Sequence, residues 1–408
     1  MKSFAEFVSD QQPRHNLHLT HLDEALFEGG TKAYNETIDV LESVLDNDGR
    51  YQMTVKWDGA PAVFVGTDPV DGQFFVGTKS VFNKNPKLYK TNEDIDGDNM
   101  PEGKAIKLKE CLKFLPKLNI PRDTVLQGDL LWTSGDHVYE TYEGQRYVTV
   151  HPNTLVYGWL AESAEGKAVR NANLGIVFHT TYRGRNNLSN YSATFGVNTD
   201  NLTSIPEVWF DDAYFKGKNI QLDPETHQNI KESIGSTSAG CYDGLVELME
   251  TLPSSAMGAN VKTFYNSFIR EGFYPRPDKA FEQYVDYLKS YWNKTFISKL
   301  KTEEGISRRK AQLAQLITDV RANQDVFEAS FDFVETVAKA KATIIEALNT
   351  QNTQKVFIKT KDGLQEAAPE GYVAINKTTG NAFKLVDREK FSHYNFSDNY
   401  VKGWQKPL

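Results

Sequence analysis

The sequence predicts an α+β protein whose antiparallel β body is interrupted by one large helical block. Two observations predict it. The hydrophobic period changes from helical to strand-like at Tyr51, returns to helical near Pro224, and becomes strand-like again after about Gln351. The strand-like regions are punctuated by turn pairs such as Asp71-Gly72, Asp96-Gly97 and Glu143-Gly144, which suit antiparallel connections. At 408 residues, two or three substructures are expected.

Residues 1–50 form an N-terminal segment expected to pack on the β body. Within it, Ala33, Ile38, Leu41 and Leu45 can share one face of a helix over residues 31–45. Residues 51–215 supply short β-rich runs: 53–56, 62–66, 74–77, 124–131, 146–150, 155–160 and 175–179, with one helix expected over 103–115. Residues 216–352 read as the helical insertion. Phe281, Tyr284, Val285, Leu288 and Trp292, and again Leu313, Leu316, Ile317 and Val320, fall at helical spacing. In residues 353–408 the β signals return at 355–359, 372–375 and 382–386. The acidic run Thr91 to Asp98 lacks the full ligand spacing of a calcium loop and reads as a solvated loop.

Bulk composition excludes some classes of function. The 39% apolar and 25% charged fractions are those of an ordinary globular protein. No apolar run approaches the roughly 18 residues of a membrane span, so no membrane partner is expected. Two distant cysteines, Cys111 and Cys241, and no secretory leader fit a reduced cytoplasmic protein. A net charge of −8 argues against a general nucleic-acid coat but leaves room for a local basic groove.

The chemistry centres on Val55-Lys56-Trp57-Asp58-Gly59, where a strand enters a turn. A lysine held there can present its amine to a pocket and act as a nucleophile once deprotonated. Gly59 removes a side chain where backbone must approach a nucleotide. Further along come Lys79 in Gly77-Thr78-Lys79, Asp129 in Gln127-Gly128-Asp129-Leu130, and Tyr157 with Trp159 in Leu155-Val156-Tyr157-Gly158-Trp159. Beyond the helical block stand Glu370 in Pro369-Glu370-Gly371-Tyr372-Val373 and Lys384 in Ala382-Phe383-Lys384-Leu385-Val386. The order is chemically coherent: cations neutralise phosphates, carboxylates hold a divalent ion or position the lysine, and a π face holds a base.

These segments resemble, in order, the motifs of the covalent nucleotidyltransferase superfamily of ATP-dependent DNA and RNA ligases and mRNA capping enzymes. The resemblance covers roughly residues 51–160 and 353–392 and is most specific at Lys-x-Asp-Gly and Glu-Gly-x-Val. It implies an ATP-grasp-like ligase adenylation domain. In that reading Lys56, Asp58, Glu370 and Lys384 are catalytic, and Val55, Gly59, Lys79, Asp129, Tyr157 and Lys384 bind the nucleotide. Glu370 and Asp129 would hold Mg²⁺ or Mn²⁺. The implied partners are ATP and a nucleic acid carrying 5′-phosphate and 3′-hydroxyl ends, with a lysine-AMP intermediate between them. A protein or small-molecule acceptor, or a catalytically silent binding factor, are the alternatives.

This sequence departs from the family pattern in three places. Asp129 stands where glutamate is usual, Val386 takes the second basic position of the last motif (with Arg388 or Lys377 as replacements), and about twenty residues follow the Lys384 strand. The last feature is similar to RNA ligases that lack an OB domain. A rival acid-glycine pair, Asp243-Gly244, lies in helical-looking sequence. The opening segment also resembles proteins of large tailed phages, which would place the chain in host cytoplasm.

Other signals are weaker. His15, His18 and His21 are spaced like a helical metal face but suit solvated or structural histidines better. The triplets His18-Leu19-Thr20 and His179-Thr180-Thr181 resemble those of two-histidine phosphoesterases, in unlike contexts. Arg183 and Arg185, and the cluster Lys299, Lys301, Arg308, Arg309 and Lys310, are candidate contacts to a nucleic-acid backbone.

Overall fold

The computed structural model describes residues 19–217, 220–251 and 258–403, so His15 and His18 lie outside the described residues. Strand β1 (Thr20–His21) leads into helix α1 (Leu26–Asp46). The helix begins earlier than its spacing predicted because Leu22, Leu26 and Phe27 are buried too. It ends at Asn47, whose left-handed backbone (φ 50°) lets its N–H reach the Ser43 carbonyl.

Strands β2 (Tyr51–Lys56), β3 (Ala62–Thr67) and β4 (Phe74–Gly77) follow, then helix α2 (Glu102–Phe114). The acidic run before α2 is a short helix, Asn92–Asp96, rather than a loop. Thr91 and Asp94 close it with a capping box, and Ile95 is buried beneath it. Next come β5 (Thr124–Trp132), β6 (Val138–Tyr142), β7 (Gln145–Val150), β8 (Leu155–Leu160), helix α3 (Ala164–Asn171), β9 (Leu174–Arg183), β10 (Ser192–Phe195) and β11 (Val208–Asp212). The helical block comprises α4 (Pro224–Thr251), α5 (Gly258–Glu271), α6 (Pro277–Trp292), α7 (Glu303–Ala322) and α8 (Gln324–Asn349). The chain closes with β12 (Lys355–Thr360), β13 (Gly363–Ala367), β14 (Gly371–Asn376), β15 (Ala382–Val386), helix α9 (Arg388–Phe396) and β16 (Tyr400–Val401).

The strands form three sheets, ordered β1-β15-β14-β2, β10-β9-β5-β3-β4 with β11 beside β9, and β13-β12-β8-β7-β6 with β16 beside β12. The pairings are antiparallel except β1 with β15 and β11 with β9. The first and third sheets each join strands from before and after the helical block, which is therefore an insertion within one β body.

The insertion is not loosely attached. Tyr372 and Ala374 on β14 and Phe383 and Leu385 on β15 share one apolar core with α1 and with Phe264, Tyr284, Phe331 and Ile344 of the helices. The intervening residues of β14, Val373 and Ile375, face the other way and line a cavity. That alternation is the period of two of a strand buried on both faces.

Candidate functional site

Between the first two sheets lies a cavity of about 330 Å³. Thr54, Val55, Lys56, Val373, Ile375 and Lys384 line it from the first sheet, and Asp129, Val177, His179 and Phe195 from the second. Leu19, Trp57, Lys79 and Ala213 complete it, with Lys79 standing exposed in the turn after β4.

Lys56 is the last residue of β2, and its ladder partner in β14 is Gly371. This register brings Glu370 beside it across 314 residues of sequence, and the Lys56 ammonium donates to the Glu370 carboxylate. The pair is partly accessible: the lysine side chain is 27% exposed and the glutamate 10%. Lys384 sits opposite Val373 on β15, one strand further over, and lines the same cavity. Gly371 has a φ of +153°, and a Cβ there would lie 2.3 Å from the Leu385 carbonyl, so the glycine after Glu370 is a packing requirement.

Asp58 and Tyr157 stand behind the lysine. Asp58 is buried, and its carboxylate accepts from Asn153 Nδ2 (2.6 Å) and from the backbone N–H groups of Thr154 (2.7 Å) and Leu155 (2.9 Å). Its own N–H donates to the Tyr157 hydroxyl at 2.6 Å. These bonds pin the Lys-x-Asp-Gly turn to the start of β8, so Asp58 positions Lys56 without lining the cavity.

Tyr157 corrects an expectation. It is 1% exposed, packs under Trp57 with ring centroids 4.8 Å apart, and shows no face to the cavity. Its competitor Trp159 is likewise buried, edge-on to Trp132 and Trp209. The aromatic rings that do line the cavity are Trp57 and Phe195.

Gly59 has a different reason from the one its sequence suggested. A Cβ there would fall 2.7 Å from Asp129 Cβ and 2.9 Å from the Leu130 carbonyl. It admits the strand that carries Asp129 and not a nucleotide.

On that strand, Asp129 lies opposite Val177 of β9. The pairing then slips: Gly128 faces Phe178 but Gln127 faces Thr180, leaving His179 as the extra residue of a β-bulge. The bulge puts His179 in the cavity wall, Nε2 3.7 Å from Asp129 Oδ2, while Nδ1 lies 2.8 Å from Thr180 Oγ1. The sequence offered His179 only as half of a phosphoesterase pair; the other half, His18, is not described.

Charge is unevenly shared. Burial pushes the Glu370 carboxyl up to about 7, with Asp58 and Asp129 adding to the effect and Lys56 opposing it. Burial likewise raises Asp129 to about 7, against the attraction of Lys56. Burial would also lower Lys56, but Glu370, Asp129 and Asp58 together hold its ammonium above the ordinary value. His179 is pushed down to about 4 by burial and by the Lys56 charge, so its imidazole is neutral at pH 7. Burial and the Lys56 charge also lower Lys384. The centre is therefore a proton-sharing cluster in which two acids titrate near neutrality.

Among the described residues no group of three His, Cys, Asp or Glu side chains could hold a metal ion alone. Glu370 and Asp129 fit a different arrangement, because a nucleotide-borne Mg²⁺ needs only one or two carboxylates besides phosphate oxygens. Both carboxyls sit near a lysine in a wall that burial makes costly to charge, so an arriving cation would favour their ionised forms.

The remaining expected residues lie elsewhere. Arg183 and Arg185 occupy the exposed turn at the far end of β9 and do not line this cavity. Arg308 and Arg309 are on the outer helix α7, where Arg309 packs on Phe296 and bonds Gln312. Lys377 stands in the turn after β14, its N–H on the Arg50 carbonyl. Val386 is buried, and Arg388 lies two residues beyond it, at the start of α9. Asp243 and Gly244 fall inside α4.

The family model described as "Family of unknown function (DUF6267)" matches residues 16–400, and the chain belongs to that family. No curated protein matches the chain, and no solved structure does. No described helix is long and apolar enough to cross a membrane.

Proposed function

We propose that this protein is an ATP-dependent covalent nucleotidyltransferase, resembling polynucleotide ligases and RNA ligases in particular, with Lys56 as the nucleophile. The observation that carries the reading is the Lys56–Glu370 pair. A lysine ending one strand meets a glutamate entering another, 314 residues away; the lysine lines a cavity whose wall also holds Asp129, His179, Lys79 and Lys384, and the glutamate lines the cavity next to it. The cavity volume is at the lower end for small-molecule sites. Its apolar residues Trp57, Val177, Phe195, Val373 and Ile375 suit a nucleoside, and its cations suit phosphates.

In the first step the Lys56 amine attacks the α-phosphorus of ATP. A P–N bond forms, the P–O bond to the β-phosphate breaks, and pyrophosphate leaves. The ammonium loses two protons over the step. Glu370, with a pKa of about 7, is placed to take one, and the other goes to pyrophosphate or solvent. Lys384 and Lys79 offset charge developing on the phosphate oxygens. Mg²⁺ held by Glu370 and Asp129 would supply further neutralisation of that charge. In later steps the AMP passes to a 5′-phosphate, and a 3′-hydroxyl displaces it.

The test is incubation with ATP labelled at the α-phosphate. Wild type should form a denaturation-stable adduct and Lys56→Ala none; equal labelling of the two overturns the assignment. A panel of nicked RNA, nicked DNA and single-stranded 5′-phosphorylated substrates then reads the acceptor. Sealing of RNA supports the ligase reading. Adduct without any sealing moves the acceptor to a protein or small molecule, and ATP binding without pyrophosphate release makes the protein a silent binding factor.

A further inference from the structure

A second cavity, of about 440 Å³, adjoins the first; Leu19 and Lys384 line both. Its floor is the Glu370 end of the Lys56–Glu370 pair, and its far wall is the helical insertion, through Lys262, Asn266 and Arg270 of α5. Helix α9 supplies Arg388, Ser392 and Asn395. Four cations, Lys262, Arg270, Lys384 and Arg388, face it against two carboxylates, Glu24 and Glu370. Behind the wall the buried Asp23 bonds both Lys341 (2.6 Å) and Arg388 (3.2 Å), and Glu24 pairs with Arg388 (3.1 Å) and Lys262 (3.5 Å). Two acids are thus set against three cations there and the excess persists, with Arg270 and Lys384 adding to it. His21 lines the cavity as well, and its Nδ1 is buried without a hydrogen-bond partner. The imidazole is held neutral by burial and by the neighbouring Arg388.

The first cavity is walled by apolar residues with a few polar groups, and the second is cationic with hydrogen-bonding side chains and a spare imidazole nitrogen. A cavity of this kind suits a phosphate group. Its place beside Lys56 matters, because in-line displacement at phosphorus puts the entering and leaving groups on opposite sides. Whatever takes AMP from Lys56 must therefore approach from the side where pyrophosphate departed.

We propose that this second cavity is the acceptor subsite, built by the helical insertion to hold the terminal phosphate of a 5′-phosphorylated polynucleotide. The assignment rests on the nucleotidyltransferase reading. In the transfer step an oxygen of the acceptor phosphate attacks the phosphorus of lysine-AMP. A P–O bond forms as the P–N bond breaks, and Lys56 leaves as the amine after taking one proton from Glu370. The product joins acceptor and AMP through a diphosphate. Lys262 and Arg270 hold the incoming phosphate, and neither lines the nucleoside cavity.

The experiment uses the full chain as wild type and as the double variant Lys262→Gln/Arg270→Gln. Each is charged with α-labelled ATP, freed of nucleotide, and discharged either with pyrophosphate or with a 5′-phosphorylated oligoribonucleotide. The expected result is charging to the same extent in both proteins and oligonucleotide-driven discharge at least about tenfold slower in the variant. A 5′-hydroxyl oligonucleotide should discharge neither. Slowed pyrophosphate discharge with unchanged oligonucleotide discharge would give the cavity to the departing pyrophosphate and overturn the assignment, as would no change in either. Direct binding, read by fluorescence anisotropy of the same two oligonucleotides on uncharged protein, is a second measurement. If neither protein charges, the nucleotidyltransferase reading fails, and a phosphate-dependent affinity lost in the variant still upholds the subsite. An affinity indifferent to the 5′-phosphate overturns it.

Discussion

Two lysine–carboxylate pairs in this molecule, one buried and one partly accessible, have opposite characters. Lys341 and Asp23, at the seam between the helical insertion and the N-terminal segment, are each 1% exposed. Arg388 (3.2 Å) and the Tyr274 hydroxyl (2.9 Å) also bond the Asp23 carboxylate. Burial would raise this acid, but Lys341 and Arg388 outweigh it and hold it far below the usual carboxylate range. Around the Lys56 ammonium the ratio is reversed: Glu370, Asp129 and Asp58 all bear on this one lysine, and burial lifts Glu370 to about 7. Surplus cations make a clamp that cannot exchange its proton near neutrality. Surplus carboxylates make a site that can.

The largest effect that would test this contrast is on the clamp. Asp23→Ala leaves Lys341 and Arg388 buried without their shared anion and should cost about 3–5 kcal/mol of stability in urea unfolding at pH 7. Asp23 has a depressed folded pKa, so its contribution is present above its unfolded value of roughly 4 and is lost as pH falls below that. The gap between wild type and variant should therefore narrow in acid. A gap that stays constant with pH would mean the cluster does not act through charge.

Next comes Glu370→Gln, which removes the proton acceptor beside Lys56. Adduct formation should slow by about a hundredfold. In wild type the rate should climb as pH rises through about 7, where Glu370 becomes ionised, and that inflection should vanish in the variant. Retention of the inflection would reassign the proton transfer.

The smallest effect is at Asp129. Its folded pKa of about 7 lies above the unfolded value, so ionising it costs the fold stability that is full below about pH 4 and lost as pH rises through 7. Asp129→Asn should accordingly raise stability by on the order of 1 kcal/mol at pH 8 and leave it unchanged near pH 4, measured by thermal unfolding at the two pH values. A loss of stability at pH 8 would show that Asp129 is held by its attraction to Lys56 and is not poised by burial.

Much of this arrangement was legible in the sequence. The change of hydrophobic period marked the insertion, and Glu-Gly-x-Val at 370–373 marked the strand that meets Lys56, because both signals are local in sequence. Tyr157 was misplaced for a physical reason. An aromatic residue in a strand buried on both faces looks the same whether its ring lines a cavity or fills a core, and here β8 is a central strand between β7 and β12 with residues 155–159 all buried. His179 was hidden because a bulge is a property of two strands' hydrogen-bond register, which neither strand's sequence states alone. The second cavity was illegible because its walls come from β1, α5, β15 and α9, brought together only by tertiary packing.

The register of β2 on β14 also has a consequence for how the protein is made. Lys56 leaves the ribosome early, but Glu370 follows 314 residues later. At translation rates of roughly 5–20 residues per second, the lysine waits on the order of 15 to 60 seconds for its acid. The proposed nucleophile is therefore switched on by completion of the chain: until β14 pairs with β2, nascent protein carries the lysine but not the partner meant to take its proton.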